Sequence, residues 1–276
     1  MPRSCAASRA GSGSRAPPPV LALERLTKHF GGVRAVDGVD LRVAENEILG
    51  LIGPNGSGKS TIVNLVTGVY PPTTGRVRFR DRDITGWPSH RVLVAGIGRT
   101  FQNIRLFGGL TVWQNLWVVR EGRAPRGRGR WLARDPERLR RIEALLDFCR
   151  LLDRKEELAR NLAFGEQRRL ELARALAADP ALILLDEPAA GMNAAEIEEL
   201  RERILALKRR GKTVVLIEHH MDLVMAVAER VAVLNFGEKI AEGPPATVQD
   251  DARVREAYLG KRRDGSMRPL PPPGGG

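Results

Sequence analysis

The sequence predicts an α/β fold built on a parallel sheet that is covered on both faces. Four short runs are apolar almost throughout, which is typical of strands buried on both sides. These runs lie at residues 47–52, 181–186, 213–218 and 231–235. Helical patterns follow three of them, at 58–67, 194–209 and 221–228. Strands that alternate with helices favour a parallel sheet whose crossovers are helical.

Two further regions add to this core. Shorter runs predict an N-terminal antiparallel layer, and they lie at residues 21–26, 39–43 and 76–79. Between residues 110 and 158 the pattern is mostly helical, with an Arg- and Gly-rich interruption at 122–130. This pattern predicts a helical subdomain inserted into the α/β core, spanning about residues 103–178.

The chain has 276 residues and a formal net charge of +12. Three segments account for that excess: 1–19 and 261–276 each carry +3, and 120–141 carries +6. The rest is neutral, so the charge does not predict a nucleic-acid groove. Three prolines at 17–19 and a Pro- and Gly-rich C-terminal segment predict a disordered basic tail at 1–19, an ordered domain at 20–260 and a disordered tail at 261–276. With two cysteines and no apolar run near the roughly 20 residues of a membrane helix, the sequence favours neither a disulfide framework nor a membrane span.

A glycine-rich motif follows the first buried strand and opens the next helix. Its residues are Gly53, Pro54, Asn55, Gly56, Ser57, Gly58, Lys59, Ser60 and Thr61, which match G-x-x-x-x-G-K-[ST] in the context that this motif requires. Glycines let successive N–H groups face one anion, and the helix N-terminus adds partial positive charge. We expect Lys59 to reach the β- and γ-phosphates of a nucleotide and Ser60 to bind Mg²⁺.

A second motif ends the buried strand at 181–186. Asp186 and Glu187 stand at its carboxyl end, where ligands bind in open α/β sheets. We expect Asp186 to hold Mg²⁺ and Glu187 to polarise the attacking water as a general base. The two motifs together predict a nucleotide hydrolase or a kinase, and they do not decide between these.

The segment before that strand distinguishes a nucleotide hydrolase from a kinase. Residues 162–170, Leu-Ala-Phe-Gly-Glu-Gln-Arg-Arg-Leu, resemble the signature segment of ATP-binding cassette (ABC) ATPases. Its candidate nucleotide-contacting residues are Leu162, Ala163, Phe164, Gly165 and Glu166. Other markers of that family occur in order: Phe30 for adenine stacking, Gln102 in the Q-loop, Asn193 in the D-loop and His219 as the switch histidine. The resemblance covers about residues 21–260.

The resemblance implies a mechanism. Two such domains pair head to tail and enclose two ATP molecules, with the signature of one facing the γ-phosphate held by the other. Gln102 would contact the γ-phosphate and Mg²⁺ and link the helical subdomain to a membrane partner. His219 would orient the attacking water, and Asn193 would make a contact across the dimer.

Three positions depart from the usual family pattern: Ala163 replaces serine, Asn193 replaces aspartate, and His220 follows the switch histidine where aspartate is common. Five segments together resemble the LivG-type ATPase subunits of branched-chain amino-acid importers: 99–107, 162–176 with its Ala163, 187–193, 218–225 and the ending 257–260. That subfamily implies a second ATPase subunit, usually non-identical, although a homodimer stays open. It also implies two membrane permeases, an extracytoplasmic solute-binding protein, and a peripheral location at the cytoplasmic face of the inner membrane.

Three alternatives remain. Importers for urea, short amides or other amino acids use similar ATPases. A soluble kinase or hydrolase of small molecules would share the phosphate motif, but it would leave the signature segment, Gln102 and His219 unexplained. An ABC ATPase that acts on nucleic acid is suggested by the basic composition, but such proteins usually carry two fused cassettes or long coiled coils, which this sequence lacks.

Overall fold

The computed structural model describes residues 19–100, 104–119 and 136–259. Gln102, the Arg-rich segment and nearly all of both predicted tails lie outside the described residues. The described residues form ten strands: β1 (Leu21–Phe30), β2 (Val33–Val43), β3 (Ile48–Ile52), β4 (Thr74–Phe79), β5 (Arg82–Asp83), β6 (Ile97–Arg99), β7 (Leu182–Asp186), β8 (Thr213–Ile217), β9 (Arg230–Asn235) and β10 (Glu238–Gly243).

The same residues form nine α-helices, most of which cover the sheets. They are α1 (Lys59–Val66), α2 (Ser89–Ala95), α3 (Val112–Trp117), α4 (Pro136–Phe148), α5 (Phe164–Leu176), α6 (Ala194–Arg209), α7 (Met221–Val227), α8 (Pro245–Asp250) and α9 (Ala252–Leu259). No helix within the described ranges is long and apolar enough to cross a bilayer.

The larger sheet has the strand order β10-β9-β3-β8-β7-β6. Strands β9, β3, β8, β7 and β6 are parallel, and β10 pairs with β9 in the antiparallel direction. Because β3, β7 and β8 are buried at every position, both faces of this sheet are covered. The carboxyl ends of β3, β7 and β8 therefore meet at one edge, which is where the two sequence motifs begin.

The smaller sheet is antiparallel, with the strand order β2-β1-β4-β5. Its inner face packs with one face of the larger sheet in a shared apolar core, to which Leu23, Leu41, Val77, Leu51 and Leu184 contribute. Exposed side chains alternate with buried ones in β2 and β4, as expected for a sheet with one solvated face. This sheet brings β2 close to the phosphate motif, since a Cβ at Gly58 would collide with the carbonyl oxygen of Ala35.

Helices α3, α4 and α5 share a separate apolar core that includes Leu116, Ile142, Leu146 and Leu170. Thr111 caps α3 and accepts a hydrogen bond from the N–H of Gln114, so its side chain satisfies one of the free donors at the helix start. A distinct core of this kind is what the helical pattern in this part of the sequence predicts.

The predicted α/β class, the parallel sheet and the antiparallel layer are confirmed. The predicted helix at 194–209 matches α6 at both ends. The sequence prediction missed β5, β6, β10, α2, α8 and α9. Strand β6 has only three residues and contains Gly98, so no apolar run marks it, and its place depends on pairing with β7.

Candidate nucleotide-binding site

The phosphate loop joins β3 to α1, and neighbouring strands fix its backbone. Gly53 has φ of 151° and Gly58 has φ of 106°. A Cβ at Gly53 would collide with the carbonyl oxygen of Leu234, and one at Gly58 with that of Ala35. Both positions therefore exclude a side chain, for conformational and for steric reasons. The loop is clamped between β9 and β2 while its central residues remain exposed.

The start of α1 is available to an anion. A helix leaves its first four N–H groups without intrahelical partners. Gly58 makes no side-chain cap, and the first turn of α1 contains no acidic residue. These N–H groups and the helix dipole therefore favour a phosphate above the loop. Ser60 exposes its side chain in this first turn.

Lys59 folds back onto the loop that precedes it. Its Nζ donates hydrogen bonds to the carbonyl oxygens of Gly53 at 2.7 Å and Pro54 at 3.0 Å. Burial lowers the pKa of Lys59 below its ordinary value, while the carboxylates of Glu187 and Asp186 oppose that shift. These neighbours show that the lysine and the acidic end of β7 lie within electrostatic reach of each other.

Asp186 is buried at the end of β7 and is held from two directions. Its Oδ2 accepts a hydrogen bond from Nη2 of Arg99 at 2.8 Å, and its N–H donates to Oγ1 of Thr100 at 3.2 Å. Glu187 follows with φ of 48°, a left-handed conformation that non-glycine residues rarely adopt. Such backbone strain is concentrated at functional sites.

Glu218 is a residue that the sequence analysis did not single out. It is fully buried after β8 and accepts hydrogen bonds from the N–H groups of Ala189, His219 and His220. These bonds tie the loop after β7 to the loop after β8. The side chain of His219 is exposed, and its Nδ1 lies 3.8 Å from Oε2 of Glu218. A buried carboxylate with three backbone donors carries no sequence signal beyond a glutamate at a strand end.

Phe30 is part of an aromatic pair at the end of β1. Its ring meets the ring of Tyr70 edge to face, with centroids 5.4 Å apart, and both side chains are exposed. Nζ of Lys28 lies 5.0 Å from the Phe30 ring and donates to the carbonyl of Pro71. The sequence analysis identified Phe30 and missed Tyr70, which lies 40 residues further along the chain.

The signature segment forms the start of α5. Leu162 is buried in the helical core, whereas Ala163 and Phe164 are exposed. The N–H of Ala163 donates to Oε2 of Glu166 at 3.0 Å, which closes the first turn. A Cβ at Gly165 would stand 2.5 Å from Oε1 of Glu196, so this turn packs closely against the start of α6. The exposed start of this segment therefore lies beside the start of α6 of the same chain.

Asn193 caps α6. Its Oδ1 accepts from the N–H of Glu196 at 3.0 Å, and Oε2 of Glu196 accepts from the N–H of Asn193 at 2.9 Å. This reciprocal pair is a capping box. The sequence carries a signal for this capping box, because Asn-x-x-Glu precedes an apolar helical pattern.

Replacing Asn193 with alanine is expected to lower the free energy of unfolding by about 0.5–2 kcal/mol, because an N–H of α6 loses its acceptor. Asn193→Asp is the matched control, since aspartate keeps the acceptor and favours the positive helix end. Urea unfolding followed by circular dichroism measures both. Equal stability of Asn193→Ala and the unsubstituted protein would show that the cap contributes nothing.

The oxygen atoms at this edge suit Mg²⁺. A hydroxyl from Ser60 and a carboxylate from Asp186 are hard ligands, and Mg²⁺ commonly takes one or two protein oxygens with the remainder from phosphate and water. Within the described residues, no cluster of three or more His, Cys, Asp or Glu side chains forms an all-protein metal cage. The donor set therefore fits a metal that arrives with a nucleotide.

The first strand of the parallel sheet leads through a phosphate loop into a helix, and an acidic strand end lies beside this loop. This arrangement defines a nucleotide-binding ATPase domain. A family model described as ABC transporter matches residues 36–190. A second model, described as Branched-chain amino acid ATP-binding cassette transporter, matches residues 238–264. The chain belongs to the ABC transporter family of ATP-binding proteins.

Similar proteins agree with this assignment. The high-affinity branched-chain amino acid transport ATP-binding protein LivG of Salmonella typhimurium is 41% identical over 251 residues, which cover 88% of this chain and 98% of that protein. The ADP conformation of MJ1267, an ATP-binding cassette of an ABC transporter, has a TM-score of 0.79 and 33% identity, covering 88% and 99%. The dimeric cassette MJ0796 bound to ADP and Pi has a TM-score of 0.71 and 28% identity, covering 82% and 98%.

These findings confirm the family, the fold and the ATPase activity that the sequence predicts. The chain binds a nucleotide and hydrolyses ATP, as its family does. The structure brings the phosphate loop and the ends of β7 and β8 to one edge of the sheet. The signature segment instead packs against the start of α6 within the same chain.

Proposed function

We propose that this chain is the ATP-hydrolysing subunit of an importer for branched-chain amino acids. The observation that carries the solute class is the match of residues 238–264 to a branched-chain amino-acid cassette model. The ATPase core alone would not distinguish among transporters, because every cassette needs the same phosphate chemistry. The 41% identity to LivG over nearly the whole of that protein supports the same class.

For nucleotide binding, we assign the phosphates of ATP to the loop at 53–61 and the adenine to Phe30. Lys59 binds the β- and γ-phosphates. Ser60 and Asp186 bind Mg²⁺, with Gln102 as a further ligand. Bound Mg²⁺ neutralises charge on the phosphate oxygens. The exposed Ser60 in the first turn of α1 and the position of Asp186 at the same sheet edge support these assignments.

For hydrolysis, we assign Glu187 as the general base and His219 as the residue that orients the attacking water. Glu187 is half-buried and directly follows Asp186, whereas Glu218 is fully buried by three backbone donors. A base must reach the water that it deprotonates. The exposure of Glu187 and His219 therefore favours them over Glu218.

For assembly, we propose a head-to-tail pair with a second ABC ATPase, non-identical or a second copy of this chain. Ala163 and Phe164 are exposed at the start of α5, where they could face a nucleotide on a partner. The pair would dock on two membrane permeases at the cytoplasmic face of the inner membrane, and a solute-binding protein would supply them. The proposal also includes an ATPase domain at 20–260 with a helical subdomain at about 103–178. We propose that the chain does not bind nucleic acid.

Uptake of labelled leucine tests the proposal in cells that lack this chain and carry it on a plasmid. We expect uptake to depend on the plasmid, and we expect excess isoleucine and valine to compete while urea does not. If urea competes and isoleucine does not, the transported solute belongs to the urea and amide class. Uptake that does not depend on the plasmid would contradict a role in leucine import.

Replacing Ala163 with serine is expected to raise ATP turnover in the assembled complex. The added hydroxyl would donate to the γ-phosphate on the partner, and a hydrogen bond to a charged group contributes about 1.5–3 kcal/mol. Ala163 is also the N-cap of α5, where serine stabilises a helix by about 0.5–2 kcal/mol. Thermal unfolding without nucleotide measures that second effect separately. Higher stability with unchanged turnover would show that the hydroxyl only caps the helix.

A further inference from the structure

Arg99 lies between the two elements that carry the proposed Mg²⁺ ligands. Its Nη2 donates to Oδ2 of Asp186 at 2.8 Å. Its Nη1 donates to Oδ1 of Asn64 at 2.6 Å and to Oγ1 of Thr67 at 3.3 Å. The side chains of Arg99 and Asp186 are only 11% and 4% exposed. One guanidinium therefore connects the end of β7 to the helix that follows the phosphate loop.

The acceptors on α1 are in register with the other proposed ligand. Ser60, Asn64 and Thr67 are spaced i, i+4 and i+7, so they lie on one face of the helix. Nη1 of Arg99 donates to Asn64, one turn beyond Ser60, and to Thr67, the C-cap residue two turns beyond Ser60. The planar guanidinium presents its donors in a rigid fork, which fixes both partners at once. Arg99 thereby links the Ser60 face of the helix to Asp186 through hydrogen bonds of one side chain.

We infer that Arg99 is a positioning residue for the magnesium site, because it fixes the carboxylate of Asp186 relative to Ser60. This inference rests on the proposed metal roles of those two residues. Thr100, the next residue, accepts from the N–H of Asp186 and donates its own N–H to the carbonyl of Leu184. The strand end that leads toward Gln102 thus holds Asp186 through its backbone and its side chain.

A competing effect has the opposite sign. Arg99 is a cation close to a metal ligand, so its removal would strengthen the attraction of Mg²⁺ to Asp186 if charge alone mattered. Loss of a residue that orients a metal ligand typically costs about tenfold to a hundredfold in metal affinity. The three-point contact favours orientation as the larger effect, and the direction of the measured change decides between the two.

The test is binding of Mn²⁺, followed by electron paramagnetic resonance, to the full chain with a non-hydrolysable ATP analogue. We expect Arg99→Met to raise the Kd for Mn²⁺ about tenfold to a hundredfold. Analogue binding in EDTA should change less than twofold. Arg99→Lys should fall between, because one ammonium cannot replace the fork. Asn64→Ala should weaken Mn²⁺ in the same direction by a smaller factor, and it provides the test if Arg99→Met does not fold.

Two controls separate the outcomes. Arg230→Met removes an arginine that pairs with Glu47 at the opposite edge of the sheet, at 2.8 Å, and should leave the Kd for Mn²⁺ unchanged. Asp186→Asn must weaken Mn²⁺ binding if the proposed metal role is correct, and no effect there would overturn that role and this inference with it. A normal or tighter Mn²⁺ affinity of Arg99→Met and Asn64→Ala, beside a weakened Asp186→Asn, would overturn the inference about Arg99 alone.

Discussion

Replacing Lys59 with alanine is expected to abolish ATP turnover and to weaken ATP binding by about tenfold to a hundredfold or more. The ammonium is buried at the base of the phosphate loop and lies close to Asp186 and Glu187. Each hydrogen bond to a charged phosphate contributes about 1.5–3 kcal/mol, and every 1.4 kcal/mol is a factor of ten in Kd. Isothermal titration with ATP and a phosphate-release assay measure the two effects.

The same substitution removes the hydrogen bonds to Gly53 and Pro54, so the loop itself could change. Binding of ATP should therefore be compared with thermal unfolding in the absence of nucleotide. Lys212→Ala is the matched control, because it removes a lysine that pairs with Asp179 on the surface. Normal turnover by Lys59→Ala would contradict the assignment of the loop, whatever its stability.

The parts of this fold that local sequence encodes were predictable. The phosphate loop depends on residues within one short segment, and the buried strands β3, β7 and β8 depend on continuous apolar runs. Strand β1 extends to Phe30, beyond the predicted end, although Arg25 has a φ of 45° and its pairing is irregular there. Pairing with two neighbouring strands holds such a segment extended.

The residues that orient the site could not be predicted, because their partners are distant in sequence. Arg99 donates a hydrogen bond to Asp186, which lies 87 positions away. The ring of Tyr70, in the loop between α1 and β4, contacts the ring of Phe30 at the end of β1. Glu218 is defined by three backbone donors that only the fold brings together. Motifs identify groups that contact a ligand, whereas the side chains that hold those groups are set by tertiary packing.

Replacing Glu187 with glutamine is expected to leave ATP binding intact and to slow hydrolysis by about 10²–10⁴. Glutamine keeps the shape of the side chain and the backbone bond from the N–H of residue 187 to the carbonyl of Ile217. It removes the group that accepts the proton of the attacking water. Single-turnover hydrolysis in the assembled complex measures the chemical step, and titration with ATP in the absence of hydrolysis measures binding.

Glu218→Gln separates a general base from a structural carboxylate. Glu218 accepts the N–H groups of Ala189, His219 and His220, and the amide of glutamine keeps only one acceptor oxygen for them. We therefore expect Glu218→Gln to lower thermal stability, while Glu187→Gln lowers the rate at unchanged stability. If Glu187→Gln hydrolyses ATP at the normal rate and Glu218→Gln does not, Glu218 is the general base. If Glu218→Gln loses stability but hydrolyses ATP normally, Glu187 remains the general base. In that case the carboxylate of Glu218, which is surrounded by backbone donors, orients the loops and does not reach the water.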